Sequence, residues 1–291
     1  MCRQYEMGVK MKAIILVSLA AFSACGASLQ YVSHAGDQYS APGHSIPAYK
    51  VAIERQAEIL KLDLHLTKDE VVVLMHDATT GRTMGTDLTI ASHTYQELCE
   101  QCTFKEKGGY DKEKIVRLEE ALDLVKDTPM SLWLDPKGYS PKLVEKTLAL
   151  VAERGIGKER LMMATFSVSA LKYMKERHPD IRRVLHVSVP RQEDGLRISF
   201  EKKDLCIKPE EVLPRLLKKA EELELHGFNI PVRSPAFCKE WVQGLKAKGY
   251  WVSLWFVQNA EQARLAVEVG ADAVVTDNLK VVQPAAREAE K

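Results

Sequence analysis

Lys61, Asp63 and His65 occupy alternate positions of an apolar stretch, ILKLDLHLTKDEVVVLMHD, which covers residues 59–77. Alternate side chains of a β-strand point to opposite faces, so an ammonium, a carboxylate and an imidazole share one face of this strand. The stretch then ends in a second histidine and aspartate, His76-Asp77. Charges inside a protein are costly unless they are paired or lie at a wet opening, so this pattern predicts a functional site.

Polar and aromatic residues also stand at or just after the ends of other predicted strands, namely His34, Asp135, Lys137, Trp255 and Asp277. In barrels of parallel strands, active sites lie at the carboxyl ends of the strands. We therefore expect these residues to meet at one mouth. Two imidazoles that face one pocket can divide the roles of general base and general acid between them.

Strand-like runs and amphipathic helical runs alternate along the chain. The runs typical of strands cover residues 29–33, 59–65, 131–135, 160–166, 182–187, 226–230, 250–256 and 271–276. Several helical runs end in glycine, at Gly155, Gly249 and Gly270. This repetition predicts a parallel sheet, and eight such units fit a (β/α)8 TIM barrel. A doubly wound sheet is the alternative, but no glycine-rich phosphate loop follows the first strand.

Residues from about 78 to 114 interrupt this rhythm with a polar, irregular stretch that includes a short helix around Tyr95–Glu100. We interpret it as a small insertion after the second strand. The sequence contains no interdomain linker, so residues 29–291 are predicted to form one barrel domain.

The N-terminus resembles an export signal. Residues 1–28 contain a possible start at Met11, the positive charge of Lys12 and an apolar run over residues 13–24. That run is too short to span a bilayer but suits a secretory signal. Cys25 follows small residues, as in a bacterial lipoprotein box. We predict export to the bacterial cell envelope, either into the periplasm or anchored to the membrane through a lipid on Cys25.

The overall charge excludes some classes of partner. The 291 residues carry 41 Lys and Arg against 40 Asp and Glu, a formal net charge of +1. No global field therefore favours nucleic acid, and an anionic ligand needs positive charge concentrated in a site.

The motifs SHAG at the first strand, TKDEVVVLMHD followed by RT, LDPK at the third strand and GADAVVTDN near the end resemble those of the glycerophosphodiester phosphodiesterase family. The resemblance implies a TIM barrel that acts on a small-molecule phosphodiester substrate and hydrolyses glycerophosphodiesters to glycerol 3-phosphate and an alcohol. It implies an acid–base pair of His34 and His76 and a divalent metal, Ca²⁺ or Mg²⁺, on Asp63 and Asp135. It further implies that Lys137 binds phosphate.

The chain departs from the family pattern at four places. Ala35 replaces the arginine that follows the first-strand histidine, and Pro42-Gly43-His44-Ser45 replaces the motif PENT. Lys61 replaces the glutamate of the metal-binding pair on the second strand, and Asp135 stands where the family has glutamate.

Three functions are therefore open. The first is a metal-assisted glycerophosphodiester phosphodiesterase in which Trp255 packs on the substrate. The second is a metal-independent, phospholipase C/D-like phosphodiesterase in which Lys61 takes the place of the metal and binds phosphate. The third is a non-catalytic protein that binds phosphorylated head groups.

Overall fold

The computed structural model describes residues 28–105, 109–110, 112–193, 195–201, 205–232, 237 and 239–291. Cys25 and most of the predicted export signal lie outside the described residues. No helix within the described ranges is both long enough and apolar enough to cross a membrane.

The strands of the described residues, in chain order, are β1 Gln30–His34, β2 Ile59–Leu66, β3 Val72–Leu74, β4 Val116–Arg117, β5 Ser131–Pro136, β6 Leu161–Thr165, β7 Arg182–His186, β8 Arg191–Gln192, β9 Gly195–Leu196, β10 Gly227–Pro231, β11 Trp251–Trp255 and β12 Ala273–Thr276. Eight of them pair in parallel in the order β1-β2-β5-β6-β7-β10-β11-β12, and β12 pairs with β1 to close the barrel. These eight strands coincide closely with the eight predicted runs, so the predicted TIM barrel is confirmed.

The helices of the described residues are α1 Ile46–Glu54, α2 Tyr95–Gln101, α3 Leu118–Val125, α4 Pro141–Glu153, α5 Val168–Arg177, α6 Val212–Leu223, α7 Lys239–Ala247, α8 Ala260–Glu268 and α9 Leu279–Ala289. Short 3-10 helices cover Ile90–Ser92, Lys158–Arg160 and Pro209–Glu211. Gly155, Gly249 and Gly270 adopt positive φ angles of 67°, 83° and 75°, as expected for glycines that end helices.

The alternation in β2 separates two layers of the core. Leu60, Leu62 and Leu64 are buried in the large apolar cluster between the strands and the surrounding helices. Lys61 and Asp63, on the opposite face, are buried inside the barrel. The barrel interior also holds a smaller apolar cluster, built from residues such as Val32, Ile59, Trp133, Met162 and Val275.

Two short strands extend the barrel sheet in a way that the sequence analysis did not predict. β3 pairs antiparallel with β2, and β4 pairs antiparallel with β3. The segment between β3 and β4 includes α2 and packs on a separate apolar cluster that contains Met75, Met84, Leu98 and Phe104. This segment therefore lies against the β2 side of the barrel, next to His76.

Close packing fixes the connection between β1 and α1. Gly36 has a φ of 85°, and a Cβ atom added there would lie 2.6 Å from the backbone of Ala48. Ser45 caps α1 by accepting a hydrogen bond from the backbone N–H of Ala48. Only glycine combines this backbone angle with such a close approach, so Gly36 holds the end of β1 against the start of α1.

Candidate active site

The strand register brings the predicted residues to one end of the barrel. His34 on β1 pairs with Lys61 on β2, and Asp63 on β2 pairs with Asp135 on β5. Asp277 follows directly after β12, which lies on the other side of β1. Side chains that are up to 243 residues apart in the chain therefore meet at the carboxyl ends of the strands.

A pocket of about 260 Å³ opens at this end of the barrel. Its described lining consists of His34, Ala35, Gln38, Gly43, His44, Asp63, Met75, His76, Asp77, Arg82, Thr83 and Phe256. Both predicted acid–base histidines are therefore in the same pocket. Asp63 contributes to its wall, whereas Asp135, Lys61, Lys137 and Trp255 are not part of the described lining.

His34 lies on the inner side of the pocket and is buried. Its Nδ1 atom is 2.7 Å from Oδ1 of Asp277, and Phe256 packs on the ring with centroids 4.5 Å apart. Burial lowers the pKa of His34, although the hydrogen bond to Asp277 opposes this effect. The amides of Gln38 and Gln258 also donate to Asp277. His34 is thus held in one orientation, and its Nε2 atom takes no part in the bond to Asp277.

His76 lies on the outer side of the pocket, and its side chain is 47% exposed. Its Nδ1 atom is 2.6 Å from Oδ1 of Asp77. The other carboxylate oxygen of Asp77 accepts a hydrogen bond from Nε of Arg82. Arg82, more than His76, lowers the pKa of Asp77 to about 2. Both histidines therefore use Nδ1 to contact a carboxylate.

Four charged groups, including Asp63 of the pocket wall, form a compact cluster. The ammonium of Lys61 contacts Oδ1 of Asp63 and lies 3.2 Å from Oδ2 of Asp135. The ammonium of Lys137 lies 2.8 Å from Oδ2 of Asp135 and 3.2 Å from Oδ1 of Asp63. Two positive and two negative charges thus neutralise each other, and all of these side chains except that of Lys137 are buried.

The cluster stabilises the charged form of its members. Burial alone would raise the pKa of Asp63, but the charge of Lys61 and the hydrogen bond from His44 outweigh it, so this pKa lies well below its ordinary value. The pKa of Asp135 is lowered because Lys61 and His186 outweigh the effect of burial. Burial opposes the charged form of Lys137, yet the two carboxylates raise its pKa.

His44 is a site residue that the sequence analysis did not identify as functional. Its Nε2 atom donates to Oδ2 of Asp63 at 2.9 Å, and its Nδ1 atom accepts from the hydroxyl of Tyr49 at 2.8 Å. Burial lowers the pKa of His44 to about 4, so the ring is neutral at physiological pH. The available signal was its place in Pro42-Gly43-His44-Ser45, which stands where the family has PENT.

Trp255 lies beside the pocket and packs on its wall. Its ring is 5.2 Å from that of Phe256 and 6.0 Å from that of Phe166, and its indole nitrogen donates to the carbonyl of Asn229 at 3.1 Å. Phe166 in turn stacks on His186, which is buried inside the barrel. An aromatic wall therefore borders the polar pocket at the mouth of the barrel.

The predicted divalent metal does not fit this arrangement. Lys61 bridges the two carboxylates that were expected to bind the ion, and His44 occupies the second oxygen of Asp63. An ammonium in this position repels a cation that approaches the same carboxylates. Across the described parts of the chain, no group of three or more His, Cys, Asp or Glu side chains could hold a metal ion.

Comparisons with known proteins show the family of the chain. Residues 34–281 match the model of the glycerophosphoryl diester phosphodiesterase family. A glycerophosphodiester phosphodiesterase from Caldanaerobacter subterraneus is 25% identical over 251 residues, which cover 85% of this chain and 93% of the relative.

Two solved structures share the fold. A phosphodiesterase from Oleispira antarctica in complex with the product sn-glycerol-3-phosphate has a TM-score of 0.70 at 24% identity and covers 88% of this chain and 96% of its own. A glycerophosphodiester phosphodiesterase from Parabacteroides distasonis has a TM-score of 0.69 at 18% identity and covers 92% of this chain and 100% of its own. The match to the family model spans almost the whole described barrel, from His34 to beyond Asp277. The chain therefore belongs to the glycerophosphoryl diester phosphodiesterase family and is a phosphoric diester hydrolase.

Proposed function

We propose that this enzyme hydrolyses glycerophosphodiesters to sn-glycerol 3-phosphate and an alcohol, with His34 and His76 as its acid–base pair and without a resident divalent metal. One observation carries the proposal. The two histidines line the same pocket, and each uses its Nδ1 atom to contact a carboxylate, which leaves both Nε2 atoms for proton transfer. Carboxylates that orient an imidazole in this way fix its tautomer for acid–base catalysis.

The different surroundings of the two histidines suggest how they divide the work. His34 is buried, and its lowered pKa keeps the ring neutral near pH 7, as a general base requires. His76 lies at the solvent-exposed edge of the pocket, from which an alcohol can diffuse into solvent. We therefore infer that His34 acts as the base and His76 as the acid in the first step.

The proton transfers balance as follows. Nε2 of His34 accepts the proton of the attacking hydroxyl, which is the neighbouring hydroxyl of the substrate's glycerol. The new P–O bond closes a cyclic phosphate, the P–O bond to the head group breaks, and Nε2 of His76 donates a proton to the departing oxygen. Water then opens the cyclic phosphate with the two roles reversed, which restores both histidines.

Lys61 supports the metal-independent version of this reaction. The family often uses a divalent metal such as Ca²⁺. In this chain, the ammonium of Lys61 supplies positive charge between Asp63 and Asp135, and Lys137 adds a second. The side chain of Lys61 is only 4% exposed, so its role is to neutralise and orient Asp63 in the pocket wall.

We also propose that the enzyme acts in the bacterial cell envelope. The proposal rests on the apolar run over residues 13–24 and on Cys25. Mass spectrometry of the mature protein from the native host would identify its first residue. A lipidated Cys25 would support anchoring, a free terminus near this position would support release into the periplasm, and an unprocessed cytosolic chain would contradict both.

The decisive experiment measures product release with and without chelator. Purified protein is incubated with glycerophosphocholine, glycerophosphoethanolamine and lysophosphatidylcholine, and sn-glycerol 3-phosphate is quantified together with lysophosphatidic acid. Each reaction is run in EDTA, in added Ca²⁺ and in added Mg²⁺. We expect sn-glycerol 3-phosphate to form from at least one glycerophosphodiester at a similar rate in all three conditions.

Each other outcome points to one of the alternatives. Activity that disappears in EDTA and returns with metal would contradict the metal-independent mechanism and favour the metal-assisted one. Lysophosphatidic acid as the main product would indicate a phospholipase D-like preference. A folded protein that binds these compounds without releasing any product would favour the non-catalytic head-group binder.

A further inference from the structure

A pocket that accepts a phosphodiester needs positive charge next to the phosphate oxygens. Lys61 and Lys137 are not part of the described lining, and each is already paired with Asp63 and Asp135. Among the described residues that line the pocket, Arg82 is the one with a permanent positive charge. Directly after His34 at the end of β1, the lining residue is the uncharged Ala35.

Arg82 is tied to the catalytic histidine through a single carboxylate. Nε of Arg82 donates to Oδ2 of Asp77, while Oδ1 of the same carboxylate contacts Nδ1 of His76 at 2.6 Å. The two terminal nitrogens of the guanidinium take no part in that bond. The side chain of Arg82 is 60% exposed, so a ligand in the pocket can reach these nitrogens.

We propose that Arg82 binds the non-bridging oxygens of the substrate's phosphate and that Asp77 is a positioning residue for both Arg82 and His76. A planar guanidinium held at Nε presents its remaining N–H groups as a fork, which matches two phosphate oxygens. In this arrangement, the residue that binds the phosphate and the residue that protonates the leaving group are fixed relative to each other. The part that concerns His76 rests on the function proposed above, whereas phosphate binding by Arg82 does not.

Binding of the product tests Arg82 without any need for turnover. Titration calorimetry with sn-glycerol 3-phosphate, and with inorganic phosphate as a second probe, is performed on the wild type, Arg82→Gln, Arg82→Lys and Lys105→Gln. Lys105 is a matched control because its backbone N–H contacts the neighbouring Thr83 carbonyl, while its exposed side chain lies outside the described lining. Charge-assisted hydrogen bonds of this kind lead us to expect an affinity about 10- to 100-fold lower in Arg82→Gln.

The two remaining variants distinguish the effect of the guanidinium's shape on phosphate affinity from the effect of the protein's net charge. Arg82→Lys keeps the charge but loses the fork, so we expect an intermediate affinity. Lys105→Gln changes the net charge equally and should bind within about twofold of the wild type. A wild type that binds neither probe, or an Arg82→Gln variant that binds like the wild type, would overturn the proposal.

A double-mutant cycle tests the positioning role of Asp77. Asp77→Asn should weaken binding of sn-glycerol 3-phosphate in the wild type but have little further effect in Arg82→Gln, because the group that it positions is then absent. Equal losses in both backgrounds would show that Asp77 acts independently of Arg82 and would contradict the positioning role. Normal turnover with unchanged affinity in Arg82→Gln would refute this inference alone, whereas Arg82-dependent binding without turnover would refute only the proposed hydrolysis.

Discussion

Asp63 and Asp135 are paired residues of the neighbouring strands β2 and β5, and the ammonium groups of Lys61 and Lys137 each contact both carboxylates. The two carboxylates are thus neutralised by Lys61, which is on β2, and by Lys137, which directly follows β5. Because this cluster is buried, removing one cation would leave an uncompensated carboxylate inside the barrel. We therefore expect that this cluster does not bind a divalent metal ion in the wild type.

Lys61→Glu should convert the buried cluster into a metal site. At about 4 Å and an effective dielectric constant of about 20, two unit charges interact by roughly 4 kcal/mol, so the ammonium strongly opposes a cation beside Asp63 and Asp135. We expect no saturable binding of Ca²⁺ or Mg²⁺ to the wild type by calorimetry and clear binding to Lys61→Glu, whose melting temperature should rise with added Ca²⁺. Lys61→Gln, which removes the charge without adding a carboxylate, is the control. Stoichiometric, tight binding by the wild type would contradict the interpretation.

Replacement of either His34 or His76 by alanine should remove most of the activity. General acid–base catalysis contributes about 10²–10⁴-fold per group, and each imidazole supplies one proton transfer in the proposed reaction. The rate of sn-glycerol 3-phosphate release measures the loss, and circular dichroism checks that the fold is intact. His93→Ala is a matched control because His93 lies in the segment after β3 and bonds the carbonyl of Thr89. Near-normal rates in both His34→Ala and His76→Ala would rule out the acid–base assignment.

The neutral state of His44 should make the protein less stable in mild acid. Its pKa of about 4 in the folded state is below the ordinary value of 6.5. Between these two pKa values the unfolded chain binds more protons than the folded protein. The free energy of unfolding therefore rises with pH in this window, and this stabilisation is lost as the pH falls through it. Near pH 5 this single group contributes a slope of about 1 kcal/mol per pH unit.

Urea denaturation at several pH values checks this expectation. His44→Gln should lose about 1 kcal/mol per pH unit of slope near pH 5, because the titrating ring is gone. Tyr49→Phe removes the hydroxyl that donates to His44 but keeps the ring, so it should lower stability at every pH and retain the slope. An unchanged slope in His44→Gln would mean that the ring does not titrate as the buried geometry indicates.

Gly36→Ala should destabilise the barrel at the mouth. The added Cβ would lie 2.6 Å from the backbone of Ala48, in a residue whose φ is 85°. The left-handed angle costs about 1–2 kcal/mol and overpacking about 1–3 kcal/mol, so we expect a loss of about 2–5 kcal/mol in the free energy of unfolding. Gly85→Ala, which meets no atom within 4 Å, should change this free energy far less. Equal, small effects of both substitutions in urea denaturation would refute the packing argument.

The sequence by itself was sufficient to predict the barrel and to place the candidate site residues at the carboxyl ends of its strands. The alternation of Leu60, Leu62 and Leu64 with Lys61 and Asp63 is a local property, because successive side chains of a strand must point to opposite faces. The glycines at helix ends are also local signals. The resemblance of the motifs then indicated His34 and His76.

The contacts between distant segments were decided only by the tertiary structure. Whether Lys61 lies between Asp63 and Asp135 depends on the register of β2 against β5, and the contact of His34 with Asp277 depends on closure of the barrel by β1 and β12. The pairing register of non-local strands is not encoded in the spacing of residues within either strand. His44 was missed because its contact with Asp63 joins the loop before α1 to β2, and the sequence pattern of neither segment shows such a contact.

The position of Arg82, in the segment after β3, was also decided by the tertiary structure. The sequence showed Asp77 and Arg82 as neighbours in an irregular stretch, without a period that could fix their orientation. In the structure that segment packs on its own apolar cluster, and Arg82 lines the pocket together with His76. The types of functional side chain could therefore be identified from the sequence. Their contacts could not, because they depend on how distant parts of the chain pack together.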